Sequence, residues 1–232
     1  MAFAFETGEL LLVDKPLTWT SFDAVNYIRS LIRRFHQISG LKVGHAGTLD
    51  PLATGLLIIC TGKLTKQIQY LQDMEKVYTG TMKLGVTTPS FDLETEPDGF
   101  FPIEGITHSM LEEARQKFLG KIDQYPPVFS AVKIDGKRAF SYARRNKEVE
   151  MEARQVTISD FTLSTFHLPD IDFSVRCSKG TYIRSLINDF GLALNNGATL
   201  TSLRRTKIGD YSIENAWPLE KLKNAIIDSA PV

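Results

Sequence analysis

Asp50 is the one carboxylate in the stretch Gly44-His45-Ala46-Gly47-Thr48-Leu49-Asp50-Pro51-Leu52-Ala53-Thr54-Gly55, which also holds three glycines and a proline. That density of glycine and proline predicts a loop of tight backbone geometry. Pro51 biases Asp50 towards an extended conformation and removes the following N–H. The residues that come next, Leu56-Leu57-Ile58-Ile59-Cys60, form a continuous apolar run suited to a buried strand. An acid displayed on a glycine-lined loop beside such a strand can serve as a nucleophile. The same residue types also make an ordinary chain-reversing turn, and on types alone that reading is the commoner.

A second chemical cluster is Lys179-Gly180-Thr181-Tyr182-Ile183-Arg184-Ser185. Ile183, Leu186, Ile187, Phe190 and Leu194 form an apolar stripe at helical spacing, so Arg184 falls in the first turn of a helix. A cation there opposes the helix macrodipole. The arrangement suits binding of a carboxylate or phosphate, because backbone N–H groups, dipole and guanidinium all favour an anion. A solvated surface arginine is the plainer alternative.

Composition narrows the classes. The chain has 232 residues, 43% of them hydrophobic, which suits one sizeable domain or one domain with a small appendage. Net charge is zero, so the global basic excess common in nucleic-acid binders is absent. Its distribution is uneven: residues 92–113 carry seven acids and no Lys or Arg, whereas residues 130–147 carry six Lys or Arg and one acid. No apolar run is long enough for a transmembrane helix, and Met1-Ala2-Phe3-Ala4-Phe5-Glu6 lacks the features of a signal peptide. Cys60 and Cys177 sit in apolar runs and read as small buried residues of a reducing cytosol. The four histidines, His36, His45, His108 and His167, show no metal-ligand spacing, so no metal is expected.

The elements that must position these groups follow in order. Glu9–Asp14 predicts a buried strand ended by Lys15-Pro16. Thr20-Ser21 offers an N-cap with Asp23 in the first turn, followed by Val25, Ile28, Ile32 and Phe35 at helical spacing. Lys66–Leu71 predicts one or two helical turns. From Lys76 to Val86 the pattern alternates, with Tyr78, Met82 and Leu84 on one strand face and Gly80 leaving open space beside the Tyr78 ring. Residues 85–105 read as a loop excursion. A helix is expected from about Thr107, with Met110, Leu111, Ala114 and Phe118 inward and Gly120 as its stop. Asp135-Gly136 predicts a tight turn. Lys137, Arg138, Arg144, Arg145 and Lys147 surround Phe140 and Tyr142, a mixture suited to phosphates and exposed bases or to a charged surface helix. Ile171, Phe173, Val175 and Cys177 alternate with polar residues as a half-buried strand.

The Gly44–Gly55 string resembles the catalytic signature of the TruB-type tRNA pseudouridine synthases. Further segments resemble the same family: Gln124-Tyr125-Pro126-Pro127-Val128-Phe129-Ser130-Ala131-Val132-Lys133, Cys177-Ser178-Lys179-Gly180-Thr181-Tyr182-Ile183-Arg184-Ser185, and Ala198 through Leu203-Arg204-Arg205-Thr206. Leu84-Gly85 through Thr88, Ser90 and Asp92 is a looser match. The family usually has glycine where this chain has Thr18. The resemblance covers roughly residues 9–220.

The resemblance implies an α/β (α+β) pseudouridine synthase fold: a mixed, largely antiparallel central sheet flanked by helices, with the active-site cleft across it. It implies one catalytic domain over residues 1–232, an RNA-clamping insertion at about 124–152, and no C-terminal PUA domain. The activity implied is isomerisation of a uridine in the T-loop of tRNA to pseudouridine, on a flipped-out base, with no cofactor. Asp50 is then the catalytic carboxylate, Arg184 its ionic partner, and Tyr78 the tyrosine set against the base. Tyr182 and Leu203 line the uridine pocket, His45 packs into the vacated T-loop, and Lys133, Arg204 and Arg205 lie near RNA. A cytoplasmic monomer acting on the tRNA T-arm is expected. Alternatives from the residues are an RNA-binding or tRNA-folding module, a synthase for another RNA, or an aspartate-dependent hydrolase, although no second paired acid supports the last.

Overall fold

The computed structural model describes every residue except Met1, Ala2, Ala131, Asp135, Arg144, Asn146, Glu148 and Val232. Asp135 of the expected turn, Ala131 of the motif and Arg144 of the basic segment therefore lie outside the described residues. In chain order the first elements are β1 (Leu10–Lys15), α1 (Ser21–His36), β2 (Val43–His45), β3 (Ala53–Thr61), α2 (Ile68–Asp73) and β4 (Lys76–Leu84). There follow β5 (Val86–Thr87), β6 (Gly99–Phe100), α3 (His108–Gln116), β7 (Gly120–Gln124), β8 (Lys133–Ile134), β9 (Lys137–Arg138) and α4 (Ala139–Ala143). The last are β10 (Arg154–His167), β11 (Asp170–Cys177), α5 (Ile183–Ala193), β12 (Ala198–Ile208), β13 (Tyr211–Ser212), β14 (Trp217–Pro218) and α6 (Leu219–Asp228). The fold is mixed α/β with a large mixed sheet, and antiparallel pairs predominate, as the family resemblance implies.

The chain divides into two compact units, Met1–Tyr78 with Leu203–Val232, and Thr79–Ser202. In the first unit the strand order is β14-β1-β3-β12, with β2 on β3 and β13 on β12. β3 is buried on both faces, which explains its unbroken apolar run. Leu57 and Ile59 pack with Val13 under α1 and α6, on Val25, Ile28, Ile32, Leu222 and Ile226. Leu56, Ile58 and Cys60 face the other way, onto Leu71 and Ile208. Burial pushes the Cys60 thiol up to about 11, so it stays protonated at neutral pH. Thr20 caps α1 through a reciprocal exchange with Asp23. β1 is half-buried rather than wholly buried: Leu11, Val13 and Lys15 point inward and the residues between them lie at intermediate exposure.

In the second unit β12, β4, β11, β10 and β7 are neighbours. Phe161, Phe173 and Phe190 meet edge to face at its centre, with α3 and α5 against them. β11 shows the alternation its sequence predicts. Four expectations need correction here. Met110 is 40% exposed, because α3 turns only Leu111 and Ala114 fully inward. That helix stops at Gln116, and Gly120 opens β7 at φ +86 instead of ending it. Gly80 leaves no open space: a Cβ there would sit 2.3 Å from the Ser202 carbonyl oxygen and 2.9 Å from the Phe173 ring. The glycine is required by close backbone approach. The basic segment forms the β8–β9 hairpin and the short α4, not a long surface helix.

Candidate active site

The hairpin of β2 and β3 carries Asp50 in its connection, with His45 paired to Ile59 and Gly44 to Cys60. One long edge of β3 is shared. β12 pairs in parallel with Ala53–Gly55, and β2 pairs with Ile59–Thr61. Leu56 lies between these two ladders, and its carbonyl accepts a hydrogen bond from Arg205 Nε at 2.8 Å. The same guanidinium donates to the Gly47 carbonyl at 3.0 Å and the Thr48 carbonyl at 3.4 Å. Gly55 sits at φ +103, and a Cβ there would come within 2.3 Å of the Arg205 carbonyl oxygen, so only glycine allows β12 to lie this close.

Two more groups hold the loop. Ser21 Oγ, released from capping duty by Thr20, accepts from the Leu49 N–H at 2.8 Å and donates to the Leu49 carbonyl at 3.2 Å. Lys15 is fully buried, and its Nζ donates to the carbonyls of Pro16 at 2.9 Å, Trp19 at 2.6 Å and Pro51 at 3.5 Å. Burial pulls the Lys15 ammonium down to about 8; Asp50 acts to keep it charged, and Arg205 works against that. The Ala53 N–H closes a turn on the Asp50 carbonyl at 3.0 Å. Asp50 is thereby held on a loop whose carbonyls are fixed from both sides. His45, half-buried at the end of β2, is held below its ordinary pKa by burial and by Arg205, with the Gly47 backbone partly offsetting them. Its imidazole is neutral at pH 7.

Leu203 is half-buried and pairs with Ala53. Tyr78, the last residue of its stretch of the first unit, is 8% exposed. Two basic residues expected near RNA are placed differently. Arg205 is 1% exposed and engages three carbonyls rather than solvent. Arg204 forks onto Asp14, at 3.0 and 2.7 Å, and reaches Thr54. It borders a cavity of 510 Å³ with Asp14, Lys15, Trp19 and Tyr27.

In the second unit Arg184 is 3% exposed in the first turn of α5. Its Nη1 donates to the Ser90 carbonyl at 3.2 Å and its Nη2 to the Phe129 carbonyl at 3.0 Å, while its Nε lies 3.5 Å from Asp92 Oδ2. The buried Asp92 compensates a cation that the helix dipole disfavours. It is itself held where Thr88 and Ser90 hydroxyls bond its carbonyl and the Glu94 N–H bonds Oδ1. In the sequence Asp92 stands within an acidic run and in the looser match through Thr88 and Ser90, with no partner assigned to it. Its signal was the Thr88, Ser90, Asp92 spacing. The buried Gln124 clamps Tyr182: its Oε1 accepts from the Tyr182 N–H at 2.8 Å and its Nε2 donates to the Tyr182 carbonyl at 3.0 Å. Lys133, Lys137 and Arg138 are exposed on the β8–β9 hairpin, and Arg145 and Lys147 are exposed beyond α4. Among the described residues no group of three or more His, Cys, Asp or Glu side chains is placed to hold a metal ion. No helix among them is long and apolar enough to cross a membrane.

The architecture matches solved structures of Cbf5. The chain superposes on Cbf5 from a Cbf5-Nop10-Gar1 complex with a TM-score of 0.70 and 26% identity, over 95% of this chain and 54% of that one. A second match, an H/ACA RNP bound to a substrate RNA containing 2'-deoxyuridine, has a TM-score of 0.68 and 25% identity, over 95% of this chain and 53% of the other. This chain thus spans about half the length of those chains, and the fold is the one carried by the Cbf5 pseudouridine synthases. The family model for TruB family pseudouridylate synthase (N terminal domain) matches residues 33–183, and that for the tRNA pseudouridylate synthase B C-terminal domain matches residues 184–230. The tRNA pseudouridine synthase B of Flavobacterium johnsoniae is 57% identical over 90% of this chain and 92% of its own length. That of Phocaeicola vulgatus is 54% identical over 93% and 92%. The chain belongs to the TruB family of pseudouridylate synthases.

Proposed function

We propose that this protein is a tRNA pseudouridine synthase that converts a uridine in the T-loop to pseudouridine, with Asp50 as nucleophile. In this isomerisation the N1–C1′ bond breaks, the base turns, and a C5–C1′ bond forms. N1 ends protonated and C5 gives up its proton, so atoms balance without a co-reactant. The observation that carries the reading is the fixed display of Asp50 by Arg205, Ser21 and Lys15, in a chain of this family. A nucleophile that needs no reorganisation lowers the barrier through prepaid ordering. Arg184, itself immobilised by Asp92, Ser90 and Phe129, is assigned to keep the Asp50 carboxylate ionised. Tyr78, Tyr182 and Leu203 are assigned to the flipped base, which must leave its stack to be reached, and His45 to the space it vacates. The segment 124–152, with Lys133 and its basic neighbours exposed, is assigned to the RNA backbone. We place this single catalytic domain in the cytoplasm as a monomer on the tRNA T-arm.

The test is pseudouridine mapping by carbodiimide labelling and primer extension on a T-arm hairpin incubated with the purified protein. A single new stop in the loop is expected. No stop on either the hairpin or full tRNA would overturn the proposal.

A further inference from the structure

Arg205 is the largest of the fully buried side chains, and all three of its hydrogen bonds go to main-chain carbonyls. Those carbonyls belong to Gly47 and Thr48 before Asp50 and to Leu56 after it, so one rigid fork bridges both arms of the loop. A lysine ammonium could not span them, because its donors radiate from one atom. Arg205 also fills the place where the β3 edge passes from β12 to β2 and a ladder bond is missing. Gly47, at φ +95, would bring a Cβ to 3.5 Å from Nη1, and Gly55 admits the Arg205 backbone. Gly55 is thus required by the close approach of the Arg205 backbone, and Gly47 by its own positive φ. Burying a guanidinium is costly when only neutral carbonyls receive it, and a fold keeps such a group where it serves the site. Its charge is anchored on the Thr48 carbonyl, two residues before Asp50, and Lys15 responds electrostatically to both Arg205 and Asp50.

Resting on the assignment of Asp50 as nucleophile, we infer that Arg205 is a positioning residue: it sets the height of the Asp50 loop and supplies buried positive charge beside it, without touching RNA. This replaces the expectation that Arg205 lies near phosphate.

The test compares wild type, Arg205→Met, Arg205→Lys and Asp50→Asn in single-turnover pseudouridine formation at saturating T-arm RNA, with pH profiles, RNA affinity and hydrogen exchange. Arg205→Met is expected to lower the rate constant about 100-fold while RNA affinity stays within about threefold, since no phosphate contact is lost. The acidic limb of its profile moves to higher pH, because the carboxylate loses a neighbouring cation. Arg205→Lys restores the acidic limb but only part of the rate. Exchange at the Ala46 and Ala53 amides quickens while residues 79–202 keep their protection. A folded Arg205→Met with full rate and an unshifted profile would overturn the inference, as would faster exchange spread evenly through both units. If Arg205→Met does not fold, Arg205→Lys decides: full turnover overturns the inference, and a reduced rate with the wild-type acidic limb upholds it. Asp50→Asn separates the two ideas. Turnover by that variant removes the nucleophile assignment itself, whereas an inert Asp50→Asn beside fully active Arg205 variants removes only the positioning role.

Discussion

Lys15 shows how one residue can cost stability in order to hold a loop. Its ammonium is fully buried on three carbonyls, with a pKa of about 8 against an ordinary 10.5. Between those values the unfolded chain keeps a proton that the folded chain has released, so folding stability rises with pH through this window. The charged form, present below about 8, is the less favourable one for folding. Cys60 acts in the opposite sense: its folded pKa of about 11 exceeds the ordinary 9.0, so its contribution falls as pH rises past 9. The Lys15 effect is therefore clearest between pH 8 and pH 9. Urea unfolding of wild type and Lys15→Met across that interval should show the wild type gaining stability relative to the variant. Parallel curves would contradict the burial of a charged Lys15.

At the scale of elements, the turn between β1 and α1 is bent to meet the Asp50 loop. The Thr18 N–H donates to the Pro51 carbonyl at 2.8 Å, and Thr18 holds φ +69 to do so. A β-branched residue in that region is strained, by about 1–2 kcal/mol. Thr18→Gly, which restores the residue common in the family, should stabilise the protein by about 0.5–1 kcal/mol after the glycine entropy cost. A thermal melt should shift up by roughly 1–4 °C, and a lower melting temperature would refute the strain argument. This scale also shows what could be read in advance. The α1 cap, the β3 run, the β11 alternation and the α5 stripe all followed from periodicity, because each packs one uniform face or is buried on both. β10 was not foreseen. Its pairing with β11 shifts register between Ile158 and Asp160 and again between Ser164 and Phe166, which breaks the period-two pattern. The loop bearing Asp50 was legible from its glycines. The groups that hold it were not, because Lys15, Ser21 and Arg205 reach it from distant positions and look like surface or capping residues in sequence.

For the whole molecule, zero net charge conceals a local excess. Lys133, Lys137, Arg138, Arg145 and Lys147 are all exposed in the second unit, while Arg184 and Arg205 are buried and Arg204 is engaged by Asp14. Of these residues, the first group is the best exposed to displace counterions from RNA. Replacing Lys137, Arg145 and Lys147 together with glutamine should weaken tRNA binding and reduce the log-affinity against log-salt slope by about 2–3. An unchanged slope would place RNA elsewhere. Arg204→Met, by contrast, should leave the slope intact. The account as a whole rests on catalysis by Asp50, and an amide in its place keeps the shape but loses the nucleophile. The most direct measurement is pseudouridine formation by Asp50→Asn on T-arm RNA, read by carbodiimide labelling and primer extension beside the RNA affinity of the same preparation. The account predicts no pseudouridine with binding retained within about threefold, since no phosphate contact is lost. Sustained turnover by the clean variant would contradict it.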